Sequence, residues 1–140
     1  MATNWPKTGP NHTPAYISSG IPYVTASTAN EVPQAPGATL KFSFPFVTKF
    51  FQIENTDPDH ALRVGFSDLG VKGAVTSNYM SVAVGAKTEV LELRCKELYF
   101  GGTGGAASFR IIAGLTTIPA SSFPILTGSI DGTGSFGGIG

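Results

Sequence analysis

The chain has 140 residues, with nine basic and nine acidic side chains and a formal net charge of +0. That length makes one domain, able to bury about 68–70% of its unfolded surface without staples. The balance of charge, with no run of Lys or Arg, leaves no positive field for direct nucleic-acid binding. At 13% charged residues, against about 25% in ordinary domains, the surface offers little repulsion to association.

Taken from the start, "MATNWPKTGPNHTPAY" lacks the basic start and apolar core of a secretory signal. Residues 1–36 carry six of the ten prolines among Thr, Ser and Asn, and read as an extended arm with one short strand near Ile21–Thr25. From Leu40 the pattern changes to period two. Leu40, Phe42, Phe44 and Phe46 share one face, and Pro45 marks an edge or a strand end. Phe51 and Ile53, then Leu62, Val64 and Phe66, then Met80, Val82 and Val84 continue the alternation. Leu91, Leu93 and Cys95, then Leu98 and Phe100, then Phe109, Ile111, Ala113 and Leu115 complete it.

Turn residues separate these runs at Asn55–Pro58, Asp68–Gly70, Val84-Gly85 and Gly101–Gly105. No stretch of adequate length has helical spacing. Seven or eight short strands at this spacing predict an all-β sandwich or jelly roll. The body is expected over residues 37–127, and a Gly-rich tail over 128–140, with Gly at six of its thirteen positions. No apolar stretch is long enough to span a bilayer as a helix; Phe109–Leu126 is interrupted by Arg110, Pro119 and Pro124.

Few residues suit chemistry. Asp57, Asp59 and His60 crowd one loop and could offer metal ligands, but a closed site needs donors from several elements. Asn55, Asp57 and Pro58 are turn formers, so the cluster reads as an elbow between strands. The other histidine, His12, lies in the arm, so a cupin-type metal site lacks its ligands. No Gly-x-Ser-x-Gly elbow occurs, and Gly101–Gly105 lacks the Lys of a phosphate loop. Glu89 and Glu92 sit on a polar face. The lone Cys95 excludes an intrachain disulfide and reads as a small buried hydrophobe. The expectation is a protein that is not an enzyme and holds no cofactor or metal.

Aromatic residues carry more information. Four of Phe42, Phe44, Phe46, Phe50 and Phe51 are expected in the core. Phe50 falls on the opposite strand face, beside Gln52 and Glu54, where a ring suggests partner contact or a ligand platform. Trp5 in the arm and Phe136 in the tail are large apolar groups on segments that cannot build a core. Trp5, Phe50 and Phe136 are the expected interface residues, with both termini docking on neighbouring subunits.

The run "FSFPFVTKFFQIENTDPDHALRVGFSDLGVKG", then Tyr79, "LELRCKELYF" and "SFRIIAGLTTI" resembles one family. It is similar to the single jelly-roll penton (vertex) capsid proteins of nucleocytoplasmic large double-stranded DNA viruses. The features that carry the likeness are Phe51-x-Ile53-x-Asn55-Thr56-Asp57, Leu62-x-Val64-Gly65-Phe66-Ser67, Leu91-Glu92-Leu93, Tyr99-Phe100 and Ala113-Gly114-Leu115-Thr116-x-Ile118. They cover about residues 42 to 118, and the arm before Leu40 has no counterpart. The resemblance implies a single jelly-roll β-sandwich of about eight antiparallel strands. It further implies homopentamers at the fivefold vertices of an icosahedral virion, assembled in the infected cell's cytoplasm. The implied partners are double jelly-roll trimers of the major capsid protein and minor capsid proteins. The alternative from residues alone is a non-enzymatic binding module, a viral fibre head or carbohydrate-binding β-sandwich, using Phe50 with Gln52 and Glu54.

Overall fold

The computed structural model describes residues 20–73 and 77–123. Two antiparallel sheets enclose an apolar core. The strands are β1 (Ile21–Ala26), β2 (Leu40–Ser43), β3 (Phe46–Asn55), β4 (Ala61–Gly65), β5 (Met80–Val82), β6 (Glu97–Thr103) and β7 (Phe109–Pro119). One sheet has the order β1-β7-β3 and the other β2-β6-β4-β5. Successive strands therefore switch sheets repeatedly, and hairpins between chain neighbours are few.

Residues 86–91 extend the three-stranded sheet without forming a full strand. The amide of Leu91 donates to the Phe51 carbonyl at 2.8 Å, and Phe51 returns the bond at 3.0 Å. Thr88 donates to Ile53 at 2.8 Å. Beyond Leu91 a side chain takes over the pairing. Thr48 Oγ1 donates to the Leu93 carbonyl at 2.7 Å and accepts from the Cys95 amide at 3.0 Å.

The alternation seen in the sequence places the core well. Phe51, Ile53, Leu62, Leu98, Phe100, Ile111 and Val82 are buried, each worth about 1.5–3 kcal/mol for a large apolar side chain. The Phe100 and Phe109 rings stack across the two sheets with centroids 4.2 Å apart, and Phe42 meets Phe44 edge-on at 5.0 Å.

Three expectations need correction. The short strand expected near Ile21–Thr25 is present as β1, but it and the residues up to Ala35, assigned to the arm for their prolines, belong to the sandwich: β1 pairs with β7 from Ile21↔Leu115 to Ala26↔Arg110, and Val32 and Ala35 are buried. Pro22 is tolerated because, among the described residues, β1 pairs on one side only. Phe46 is not core but 38% exposed, because the chain crosses between sheets at Pro45 and the alternation of β2 ends there. Finally, the Asp68–Gly70 turn opens a one-turn helix, α1 (Asp68–Lys72), capped by Ser67 Oγ accepting from the Gly70 amide at 3.0 Å. Val71 of α1 seats on Gly65, whose missing Cβ leaves the room.

Candidate interaction surface

In the loop at Asp57–His60 the Asp57 side chain is committed to the loop's own backbone and to His60. The Asp57 carboxylate accepts from the amides of Asp59 at 2.9 Å and His60 at 2.6 Å, and lies 3.1 Å from His60 Nδ1. Asn55 accepts from the Asp57 amide and donates to the carbonyls of His60 and Val82. Burial pushes the Asp57 carboxyl up, but these amide and imidazole donors together outweigh it and hold it below its ordinary value. The loop is the elbow that its turn residues predict. Among the described residues no three His, Cys, Asp or Glu gather as metal ligands would.

Cys95 is buried against Thr48, 3.5 Å from its hydroxyl, and burial pushes its thiol up to about 11. It is a neutral packing group near pH 7. Glu89 and Glu92 are exposed.

The surface, by contrast, is chemically divided. On the outer face of the three-stranded sheet the register sets three rows: Pro22·Gly114·Phe50, Val24·Ile112·Gln52 and Ala26·Arg110·Glu54. Val24 is 63% exposed and Ile112 49%. A Glu54–Arg110 ion pair of 3.0 Å closes one end of this apolar field. Phe50 does lie on this face, as the sequence predicts, but it is half-buried. Its ring fills the space over Gly114, where any Cβ would collide with it. Gln52 Nε2 donates to the Thr88 carbonyl at 2.8 Å. The Phe50–Gln52–Glu54 trio expected of a ligand platform is therefore spent on contacts within the chain.

A second apolar region lies along one flank, between β5 and residues 86–93. Here the sheets part around a cleft of about 320 Å³ lined by Phe51, Val64, Phe66, Tyr79, Leu91 and Leu93. Met80, Val84, Val90 and Leu93 are 39–55% exposed along the same flank. Tyr79 is fixed at its rim by Arg63, whose guanidinium carbon sits 4.5 Å from the ring centroid. Arg63 Nη1 also donates to the carbonyls of Val71 and Lys72, at 3.2 and 2.8 Å.

Trp5 and Phe136 lie outside the described residues. Sequence reasoning missed Val24, Ile112 and the flank. For Ile112 a signal existed: it falls out of phase with Phe109, Ile111 and Ala113, on the side of Arg110. For the flank, Met80, Val84 and Leu93 kept perfect alternation, so nothing in the pattern revealed that their sheets part. Comparison with protein-family models, curated proteins and solved structures finds no match for this chain.

Proposed function

We propose that the chain is a structural capsid protein that forms homopentamers at the fivefold vertices of a large double-stranded DNA virus. The observation that carries this reading is the strand order. With residues 86–91 beside β3, the sheets run β1-β7-β3-(86–91) and β2-β6-β4-β5, an order that supports reading the sandwich as an eight-stranded jelly roll. The run from Phe42 to Ile118 that resembles vertex proteins supplies seven of these eight pairing segments.

The flanks suit a ring. A cyclic pentamer needs two different patches on each subunit that fit one another. One flank carries the edges of β1 and β2; the other carries the cleft and the exposed Met80, Val84, Val90 and Leu93. Such unlike flanks fit a heterologous contact, with the apolar flank of one copy against the β1/β2 flank of the next. In the virion the ring would sit among trimers of the major capsid protein and minor capsid proteins. Among the described residues no helix is long and apolar enough to cross a membrane. The binding-module alternative has less support, because Gln52 and Glu54 already have partners on the face it would use.

Light scattering on the purified full chain tests this reading. The expected mass is five times the 14.5 kDa chain, falling to one chain when Leu93→Asp and Met80→Asp charge the flank. A chain that stays monomeric at every concentration while binding an oligosaccharide would favour the binding module instead.

A further inference from the structure

The flank cleft between β5 and residues 86–93 has the build of a preformed pocket. Phe51 of β3 and Val64 of β4, 0% and 4% exposed, close its floor, while Met80 and Leu93, 39% and 43% exposed, stand at its mouth. Its rim is held in place by contacts within the chain. Gly65 lets the segment before β5 sit close, since a Cβ there would stand 3.0 Å from the Asn78 carbonyl oxygen, and the Arg63 guanidinium fixes the Tyr79 ring. The register from Leu62↔Val82 to Val64↔Met80 ties Met80 to the wall. A site already shaped costs a ligand little ordering of the protein. Among the described residues that line it, none is Asp, Glu, Lys, Arg or His, and the polar ones, Ser77, Asn78 and Tyr79, form one segment.

We propose that this cleft binds a small uncharged organic molecule with an apolar body and one hydroxyl or carbonyl end. Charge decides the class: an ion in the cleft would leave water and meet no opposite charge in the lining. The apolar floor packs the body, and the segment Ser77–Tyr79 offers hydrogen-bonding groups on one side. Size sets the limit. The cleft measures about 320 Å³, and at roughly 30 Å³ for each non-hydrogen atom, the share of one water molecule in the liquid, it holds about ten such atoms. A single Leu or Ile side chain from a neighbouring copy fills less than half of that and leaves much of the lining without contacts. The proposal stands apart from the pentamer reading. A ligand of this size sits within the cleft, and the exposed Val84 and Val90, outside its lining, remain for a neighbouring copy.

Titration of the full chain with 1-octanol, and with octanoate as its charged counterpart, tests this by two-dimensional amide NMR. Octanol moves the signals of residues 64–66, 79–80 and 91–93 in a saturable way and leaves those of β1 in place. Octanoate binds about tenfold more weakly at neutral pH. Leu93→Trp, which lays a larger ring at the mouth, weakens octanol binding about tenfold. Val90→Trp, on the same flank but outside the lining, leaves it unchanged. Signals that move over the whole surface without saturating, equal affinity for octanoate, or full binding by a folded Leu93→Trp would overturn the proposal. Octanol binding confined to monomers and excluded on assembly would overturn it too, by giving the cleft to a second copy. The parent's shift map and the octanoate comparison decide the matter even where Leu93→Trp fails to fold.

Discussion

The two outer faces of this sandwich differ in what holds them. Over the four-stranded sheet, side chains bind each other and the backbone: Lys41 to Glu97 at 2.7 Å, Lys72 to Asp68 at 2.8 Å, and Arg63 to Thr103 Oγ1 at 3.1 Å and to the end of α1. Over the three-stranded sheet such bonds are confined to Gln52 and the Glu54–Arg110 pair, and the remaining positions are Pro22, Val24, Ala26, Phe50, Ile112 and Gly114. Both sheets alternate equally well, and β6 and β7 lie at equivalent inner places in them. Outward polarity is thus no property of a strand as such. It follows from what each face carries: ion pairs and α1 on one side, exposed Val24 and Ile112 on the other.

The stacked pair that joins the two halves sets the largest effect. Phe100→Ala is expected to cost about 3–5 kcal/mol in denaturant unfolding, since the ring is fully buried against Phe109. A variant as stable as the parent would mean that the faces are not backed by one core. Arg63→Ala tests the polar face. It strips the bonds to the Val71 and Lys72 carbonyls and the Tyr79 stacking, and should lower stability by about 1.5–3 kcal/mol, with hydrogen exchange in α1 rising first. On the apolar face Gly114→Ala should cost about 1–3 kcal/mol, because its methyl group would meet the Phe50 ring and Gly20. Neutral behaviour there would show that Gly20 and the Phe50 ring are held only loosely against Gly114.

The response to pH divides in the same way. Burial raises the Asp57 and Asp68 carboxyls, but for Asp57 the Asp59 and His60 donors, and for Asp68 Lys72 and Thr39, win and lower them. Their contribution is present above the unfolded value near 3.9 and is lost as pH falls through the lower folded values. Cys95 works in the opposite direction. Its thiol is pushed up to about 11, so its contribution is complete below the unfolded value of about 8.5 and is lost as pH rises through the folded one. Melting temperatures across pH 2–11 should therefore drop at both ends, and Cys95→Ser should flatten the alkaline limb. The smallest expected effect is Lys41→Ala. Its exposed ion pair with Glu97 is worth about 0–1 kcal/mol, and salt should erase it.

The strands were legible where one face meets the core and the other meets water. Phe51 and Ile53, Leu62 and Val64, and Ile111, Ala113 and Leu115 follow that rule, and the structure buries them. The Asp57 elbow was legible because turn chemistry is local. Three features were not. The short strand near Ile21–Thr25 was legible, but its place in the sandwich was not, since the prolines around it do not say that the strand will be an edge needing no amide on one side. Phe46 kept the phase of Phe42 and Phe44 through a crossing between sheets. The flank cleft depends on where residues 86–93 sit relative to β5, a tertiary distance that alternation leaves open.

The central claim is that this sandwich serves by packing against its own copies around a fivefold axis. A reconstruction of the fivefold vertex of particles that contain the chain tests it most directly. The account predicts five sandwiches around the axis, with the Met80–Leu93 flank of each against the β1/β2 edge of the next. A vertex filled by another protein, or particles that lack this chain, would contradict it.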